Sequence, residues 1–209
     1  MQYKIHGNTM QTVDILLNQG ETIFAVSGGL AWMRGDVRLE IVKPEGGIKG
    51  LTKKGSSKGT YIYYTCFSPK SLLVFSPEIP GTIHDVMITE TQSVICNRST
   101  LLCADASVTI SPFFQQKLTT SMGSEEYILD ELNGNGTAFL QIPGEARQYE
   151  LRQGEVMKVD PDHLAAFEST VRFDLNIDDI VWAILVGPGR IWLQTLSMLG
   201  TATALSRYK

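Results

Sequence analysis

Three cysteines and three histidines are all this 209-residue chain offers to chemistry that needs thiols or imidazoles. Cys66, Cys96 and Cys103 form no CxxC pair, and an odd count suits a reduced compartment better than a disulfide framework. No two histidines stand one residue apart, so the paired ligands of a cupin metal site are missing from His6, His84 and His163. There is no GxSxG elbow for a serine nucleophile. The Gly50–Ser56 segment resembles a phosphate loop but lacks the lysine before the hydroxyl residue, and it has no strand-loop-helix pattern around it. The beginning of the chain carries no signal-like apolar run, and nowhere is there an apolar stretch of about 20 residues. A soluble, cytoplasmic protein is the expectation. Eighteen Lys and Arg against 22 Asp and Glu give −4, which argues against the broad basic face of a general nucleic-acid binder.

What is present is self-similarity. Residues 20–40, GETIFAVSGGLAWMRGDVRLE, lie without a gap on residues 154–174, GEVMKVDPDHLAAFESTVRFD, after a shift of 134. Gly20/Gly154, Glu21/Glu155, Leu30/Leu164, Ala31/Ala165, Val37/Val171 and Arg38/Arg172 are identical. A shift of 71 places the same segment on residues 91–111, with Glu21 on Gln92, Leu30 on Leu101 and Val37 on Val108. LNGNGTAFLQ (132–141) likewise matches LVGPGRIWLQ (185–194), whereas SPKSLLVFSP (68–77) lacks the Gly-x-Gly. Residues 1–209 therefore read as one compact body of three repeats, roughly 1–75, 76–140 and 141–209.

Within each repeat the apolar period is two, as in Ile15 and Leu17, Val37 and Leu39, or Val171 and Phe173. That period puts one face of a strand into a core. Turn signals at Asn18–Gly20, Ser27–Gly29, Asn133–Gly136, Asp160–Asp162 and Gly187–Gly189 separate the runs. Short strands at such spacing predict an all-β sandwich or barrel. Only residues 197–207 look helical, with Met198, Leu199, Ala202 and Leu205 on one side.

GNGTAFLQ, VDPDHLAAFESTVRFDL, GPGRIWLQTL and the opening GETIFAVSGGLAWMRGDVRLE with EGGIKGLT resemble the bacterial relatives of the mitochondrial biogenesis protein "altered inheritance of mitochondria 24". The likeness covers most of the chain and is poorest over residues 53–76, where a Lys- and Tyr-rich stretch replaces a more apolar connection. It implies a fold similar to the tryptophan RNA-binding attenuation protein: a short double-stranded β-helix or sandwich, repeated about a pseudo-threefold, with a short C-terminal helix. It implies no known activity, and the association of the mitochondrial member with inner-membrane organisation favours a scaffold over an enzyme.

Several clusters remain. Lys43, Lys49, Lys53, Lys54 and Lys58 face only Glu45 over a glycine-rich stretch that runs into TYIYY. That segment is either an anion-binding loop for lipid or nucleic-acid phosphates, with tyrosines as stacking surfaces, or a solvated connection kept soluble by its lysines. Asp160, Asp162 and His163 are either a weak metal site or a turn with a hydrogen-bonded histidine. Glu125, Glu126, Asp130 and Glu131 are either a cation-collecting cluster or the polar face of a strand. The cysteines, and the aromatics Trp32, Phe167, Trp182 and Trp192, are expected in cores or interfaces. No catalytic residue, metal or cofactor is expected, so the chain reads as a non-enzymatic assembly protein. Homo-oligomerisation through sheet edges is the expected use, with a further protein partner possible and peripheral membrane contact left open.

Overall fold

The computed structural model describes residues 1–42, 60–120, 123–177 and 180–206. The lysine-rich segment from Lys43 to Lys58 lies outside them. The chain is all-β with one short C-terminal helix, as its period-two patterning requires. Strands β1 (Gln2–His6), β2 (Thr12–Asn18), β3 (Thr22–Val26), β4 (Leu30–Arg34), β5 (Val37–Val42), β6 (Tyr61–Cys66) and β7 (Lys70–Phe75) come first. Next are β8 (Gly81–Ile88), β9 (Val94–Asn97), β10 (Leu101–Asp105), β11 (Val108–Thr120), β12 (Gly123–Gly134) and β13 (Gly136–Pro143). Then come β14 (Ala146–Leu151), β15 (Val156–Val159), β16 (Leu164–Glu168), β17 (Arg172–Ile177), β18 (Val181–Val186), β19 (Gly189–Gln194) and helix α1 (Met198–Ser206). A 3-10 turn, Pro161–His163, separates β15 from β16.

These strands form four sheets, and every pairing between named strands is antiparallel. A four-stranded sheet has the order β1-β2-β7-β4, and a three-stranded sheet has the order β15-β18-β17. Between them are two six-stranded sheets, β5-β6-β3-β10-β13-β8 and β11-β12-β9-β16-β19-β14. Each six-stranded sheet has a seam where strands distant in sequence meet. At one, Ala25, Phe24 and Ile23 of β3 stand opposite Cys103, Ala104 and Asp105 of β10. At the other, Cys96, Ile95 and Val94 of β9 stand opposite Ala166, Phe167 and Glu168 of β16.

The seams explain where the simple alternation holds and where it fails. In β2, Val13, Ile15 and Leu17 are buried while Thr12, Asp14 and Leu16 between them are not, the pattern of a strand with one covered face. In β3, Ile23, Phe24 and Ala25 are buried in succession, and β10 and β16 are buried along nearly their whole length. Such strands have a core on each side. Phe24 enters the cluster of Val86, Ile88 and Leu132, while its neighbour Ala25 enters that of Val13, Ile15 and Tyr64. Across the second seam, Cys96 and Ala166 join the first of these cores, and Ile95 and Phe167 join a third with Leu129, Leu185 and Ile191.

The helix forms where the sequence predicts it, but none of its residues is buried and Leu205 is 67% exposed. The stretch from Glu125 to Glu131 lies on β12, as expected of a strand that enters the Gly134–Gly136 turn, but it is not one polar face: Asp130 is buried, and its neighbour Glu131, on the other side, is half-buried. Gly134 there has φ +112°, the left-handed region that glycine enters without penalty.

Phe167 is fully buried and stacks on Phe173 at 5.6 Å between ring centroids. Phe167→Ala should destabilise the fold by ~3–5 kcal/mol through lost burial and a cavity. Leu205→Ala on the exposed helix should change stability by less than ~0.5 kcal/mol. Urea denaturation followed by tryptophan fluorescence measures both.

Candidate functional site

Groups able to do chemistry are dispersed and mostly spent on the fold. His6 lies on β1 with Nε2 3.4 Å from Asp14 Oδ2. His84 lies on β8, where burial lowers its pKa despite the opposing charge of Asp85. His163 ends the 3-10 turn and donates from Nδ1 to the Gln194 carbonyl at 2.7 Å. Among the described residues, no three His, Cys, Asp or Glu side chains gather closely enough to hold a metal ion.

The Asp160-Pro161-Asp162-His163 stretch is a clamp on the C-terminal helix. Asp160 Oδ1 accepts from the Asp162 amide at 3.0 Å and so caps the 3-10 turn. Asp162 Oδ2 accepts from the Ser197 hydroxyl and from the Leu199 amide. Ser197 Oγ in turn accepts from the Gly200 amide at 2.8 Å, the N-cap position of α1. Gln194 Nε2 completes the clamp by donating to the Asp162 carbonyl at 2.8 Å. A serine just before a helical run is a legible capping signal; its carboxylate partner 35 residues earlier is not.

Two buried carboxylates stand beside the second seam. Asp130, 3% exposed, accepts a two-pronged bond from Arg98, with Nε and Nη2 each at 2.8 Å. Glu168, 6% exposed, accepts from Arg190 Nε at 2.6 Å, the Arg190 amide at 2.8 Å and Gln92 Nε2 at 2.5 Å. A buried carboxylate without such donors would be strongly destabilising, so these arginines are structural necessities.

The thiols are likewise interior. Cys66, Cys96 and Cys103 are buried. Burial, reinforced by Asp130, pushes the Cys96 thiol well above its ordinary pKa; burial with Asp105 does the same to Cys103. A reactive cysteine needs the opposite setting. The tyrosines that follow the lysine-rich segment are also engaged. Tyr61 and Tyr63 lie against Phe24 at 5.8 and 5.3 Å, and Tyr64 is buried against Phe75 at 5.8 Å. Burial, then the charge of Asp130, pushes Tyr61 up to about 12. As stacking platforms for a nucleic acid, the rings of Tyr63 and Tyr64 are thus already used inside the fold.

The exposed apolar side chains are a different matter. Phe167 and Trp192 are core residues as expected and Trp182 is half-buried, but Trp32 is 58% exposed. With it on β4 and β5 are Met33, Leu39, Ile41 and Val42, all exposed. Ile177 at the end of β17 and Ile180 just before β18 are exposed, and Val156 is exposed at the far end of the same sheet. Large apolar patches on a folded surface mark places where something docks.

The family model "Mitochondrial biogenesis AIM24" matches residues 3–196. The chain belongs to this family. No curated protein matches it significantly. Protein SPYM3_0169 from Streptococcus pyogenes, solved by X-ray crystallography, is similar in structure at TM-score 0.79 and 19% identity. The match covers 100% of this chain and 99% of that one. At that identity the likeness carries the fold alone. No helix among the described residues of this AIM24 chain is long and apolar enough to cross a membrane.

If the thiols are packing groups, Cys96 and Cys103 should resist Ellman's reagent in the native AIM24 chain at pH 8. All three should react after unfolding in guanidinium. Stoichiometric labelling of either Cys96 or Cys103 in the folded protein would overturn this assignment.

Proposed function

We propose that this AIM24-family chain is a non-enzymatic assembly protein: three β-sandwich repeats related by a pseudo-threefold that is left open at one joint, whose outer β edges serve self-association. What supports the repeat is a recurrence in the pairing itself. The strand orders β2-β7-β4, β8-β13-β10 and β14-β19-β16 are one order at intervals of six strands, and so are β3-β6-β5, β9-β12-β11 and β15-β18-β17. Irregularities of register fall after Leu30, Leu101 and Leu164, the three leucines that the sequence alignment superposes.

A turn recurs with them. Gly20 and Gly154 have φ of +83° and +76°. Each is followed by a glutamate whose carboxylate accepts the amide three residues back: Asn18 onto Glu21 and Arg152 onto Glu155, both at 2.8 Å. At the middle position Thr91 replaces the glycine, and Gln92 instead sends its side chain to Glu168.

The observation that carries the assembly reading is the exposure of apolar side chains on two strands of the first repeat that end different sheets: Trp32 and Met33 on β4, and Leu39, Ile41 and Val42 on β5. Leaving that much apolar area in water costs free energy that association would recover, at ~25 cal/mol per Å² covered. A reduced cytoplasmic setting fits the three thiols. Native mass spectrometry combined with light scattering tests the reading. A discrete oligomer of identical chains is expected at micromolar concentration, and a strict monomer up to about 100 μM would overturn self-association.

A further inference from the structure

Each seam is made by the same two kinds of strand. The third strand-type of one repeat (β3 or β9) pairs with the fourth strand-type of the next (β10 or β16). Three repeats supply three strands of each type but only two seams. One strand of each type is therefore left over: β15, from the last repeat, and β4, from the first. Each is the outermost strand of its sheet.

Their exposure shows what is missing. Strands β10 and β16 are buried at nearly every position, whereas in β4 every residue after Leu30 is exposed. β9 is buried at Val94, Ile95 and Cys96, whereas in β15 Val156 and Lys158 are exposed and only Val159 is buried. An unpaired edge displays a row of amides and carbonyls that direct the next strand into place. Here, two such edges of complementary type carry apolar side chains at their solvent side: Trp32 and Met33 on one, Val156 on the other.

The registers of the two seams specify the third. Ala25↔Cys103 and Phe24↔Ala104 at the first become Cys96↔Ala166 and Ile95↔Phe167 at the second, by the same shifts that align the sequence repeats. Carried on once more, those positions are Val159 with Trp32, Lys158 with Met33 and Met157 with Arg34.

We propose that the β15 edge of one chain pairs antiparallel with the β4 edge of a second copy, in the register Val159↔Trp32, Lys158↔Met33 and Met157↔Arg34. This deepens the self-association reading and rests on it. The contact is head-to-tail, so each copy offers one edge of each kind and the assembly grows into a ring or a filament. Trp32 then enters the position that Cys103 and Ala166 hold at the internal seams, against the core that already contains Val159. The two cations of the joint, Arg34 and Lys158, point to opposite faces because successive residues alternate, and each lies across from a methionine.

Disulfide trapping between two singly substituted chains tests this, because Met33 and Lys158 are both exposed and neither substitution disturbs a core. Met33→Cys chains are mixed with Lys158→Cys chains carrying a mass tag, then oxidised mildly. Directly paired residues meet the ~4.4–6.8 Å Cα separation that a disulfide requires. A tagged–untagged dimer is expected in the mixture and in neither variant alone. Met33→Cys with Val156→Cys, two residues out of register at ~7–8 Å, should cross-link at least about tenfold less. Trp32→Glu should weaken the native oligomer at least about tenfold while leaving the thermal midpoint of the isolated chain in place.

The failures separate. An oligomer in native mass spectrometry that does not cross-link at Met33 and Lys158, or cross-links equally out of register, overturns this joint and leaves self-association standing. A monomer at every concentration overturns both. A Met33→Cys/Lys158→Cys double variant that closes a disulfide within one chain, at monomer mass, also overturns the second-copy assignment.

Discussion

Edge pairing between strands distant in sequence is the constraint on which the molecule depends. Without the β3–β10 and β9–β16 seams there would be separate small sandwiches, each of roughly 60–70 residues, a size at which a single core is marginal. The seams fuse them by backbone hydrogen bonds and, more importantly, by letting one strand serve two cores. Phe24 and Ala25 are neighbours in the chain yet belong to different apolar clusters, and so do Ile95 and Cys96. Unfolding one sandwich therefore strips a wall from the next.

The polar interior follows from the same geometry. A strand sunk between two cores has little solvent at its ends, so its terminal polar side chains take donors from the protein. Asp105, last in β10, accepts the Thr137 amide at 2.7 Å. Glu168, last in β16, binds Gln92 from the preceding repeat and Arg190 from its own, so the carboxylate holds the seam from both sides. Arg34 is the aligned residue in β4, where the strand end is open to water and a cation is tolerated without partners of this kind. The change of sign from Asp and Glu to Arg marks the edge that the chain itself leaves uncovered.

How much of this was legible depends on whether the signal was local. Alternation in Ile15 and Leu17, the Gly-Glu turns and the helical tail are short-range features, and they stand where the residues suggested. The three-copy alignment superposes Ala25, Cys96 and Val159, and the first two hold equivalent places at the seams, which is why registers can be compared across them. Tryptophan's bulk points Trp32 to a core or interface; its exposure follows from β4 being an outermost strand, which no local signal encodes. The Asp162–Ser197 bond, the Arg98–Asp130 fork and the Gln92–Glu168 contact join residues more than 30 positions apart, and no spacing rule predicts them. Period-two alternation does not describe strands such as β10, because continuous burial needs a second core that only tertiary structure supplies.

Lys158 sets how tightly an edge of this kind can be covered. Its aligned positions hold Phe24 and Ile95, both buried. A lysine there keeps its ammonium in water while its four-carbon stem lies along whatever packs beside it. On an edge strand such a side chain also discourages indiscriminate pairing, since a partner must accommodate the charge or leave it a path to solvent. The internal seams, wholly apolar at this position, are permanent parts of the fold. The outer edges, with one cation each, suit a joint that forms only with a partner of matching register and comes apart again.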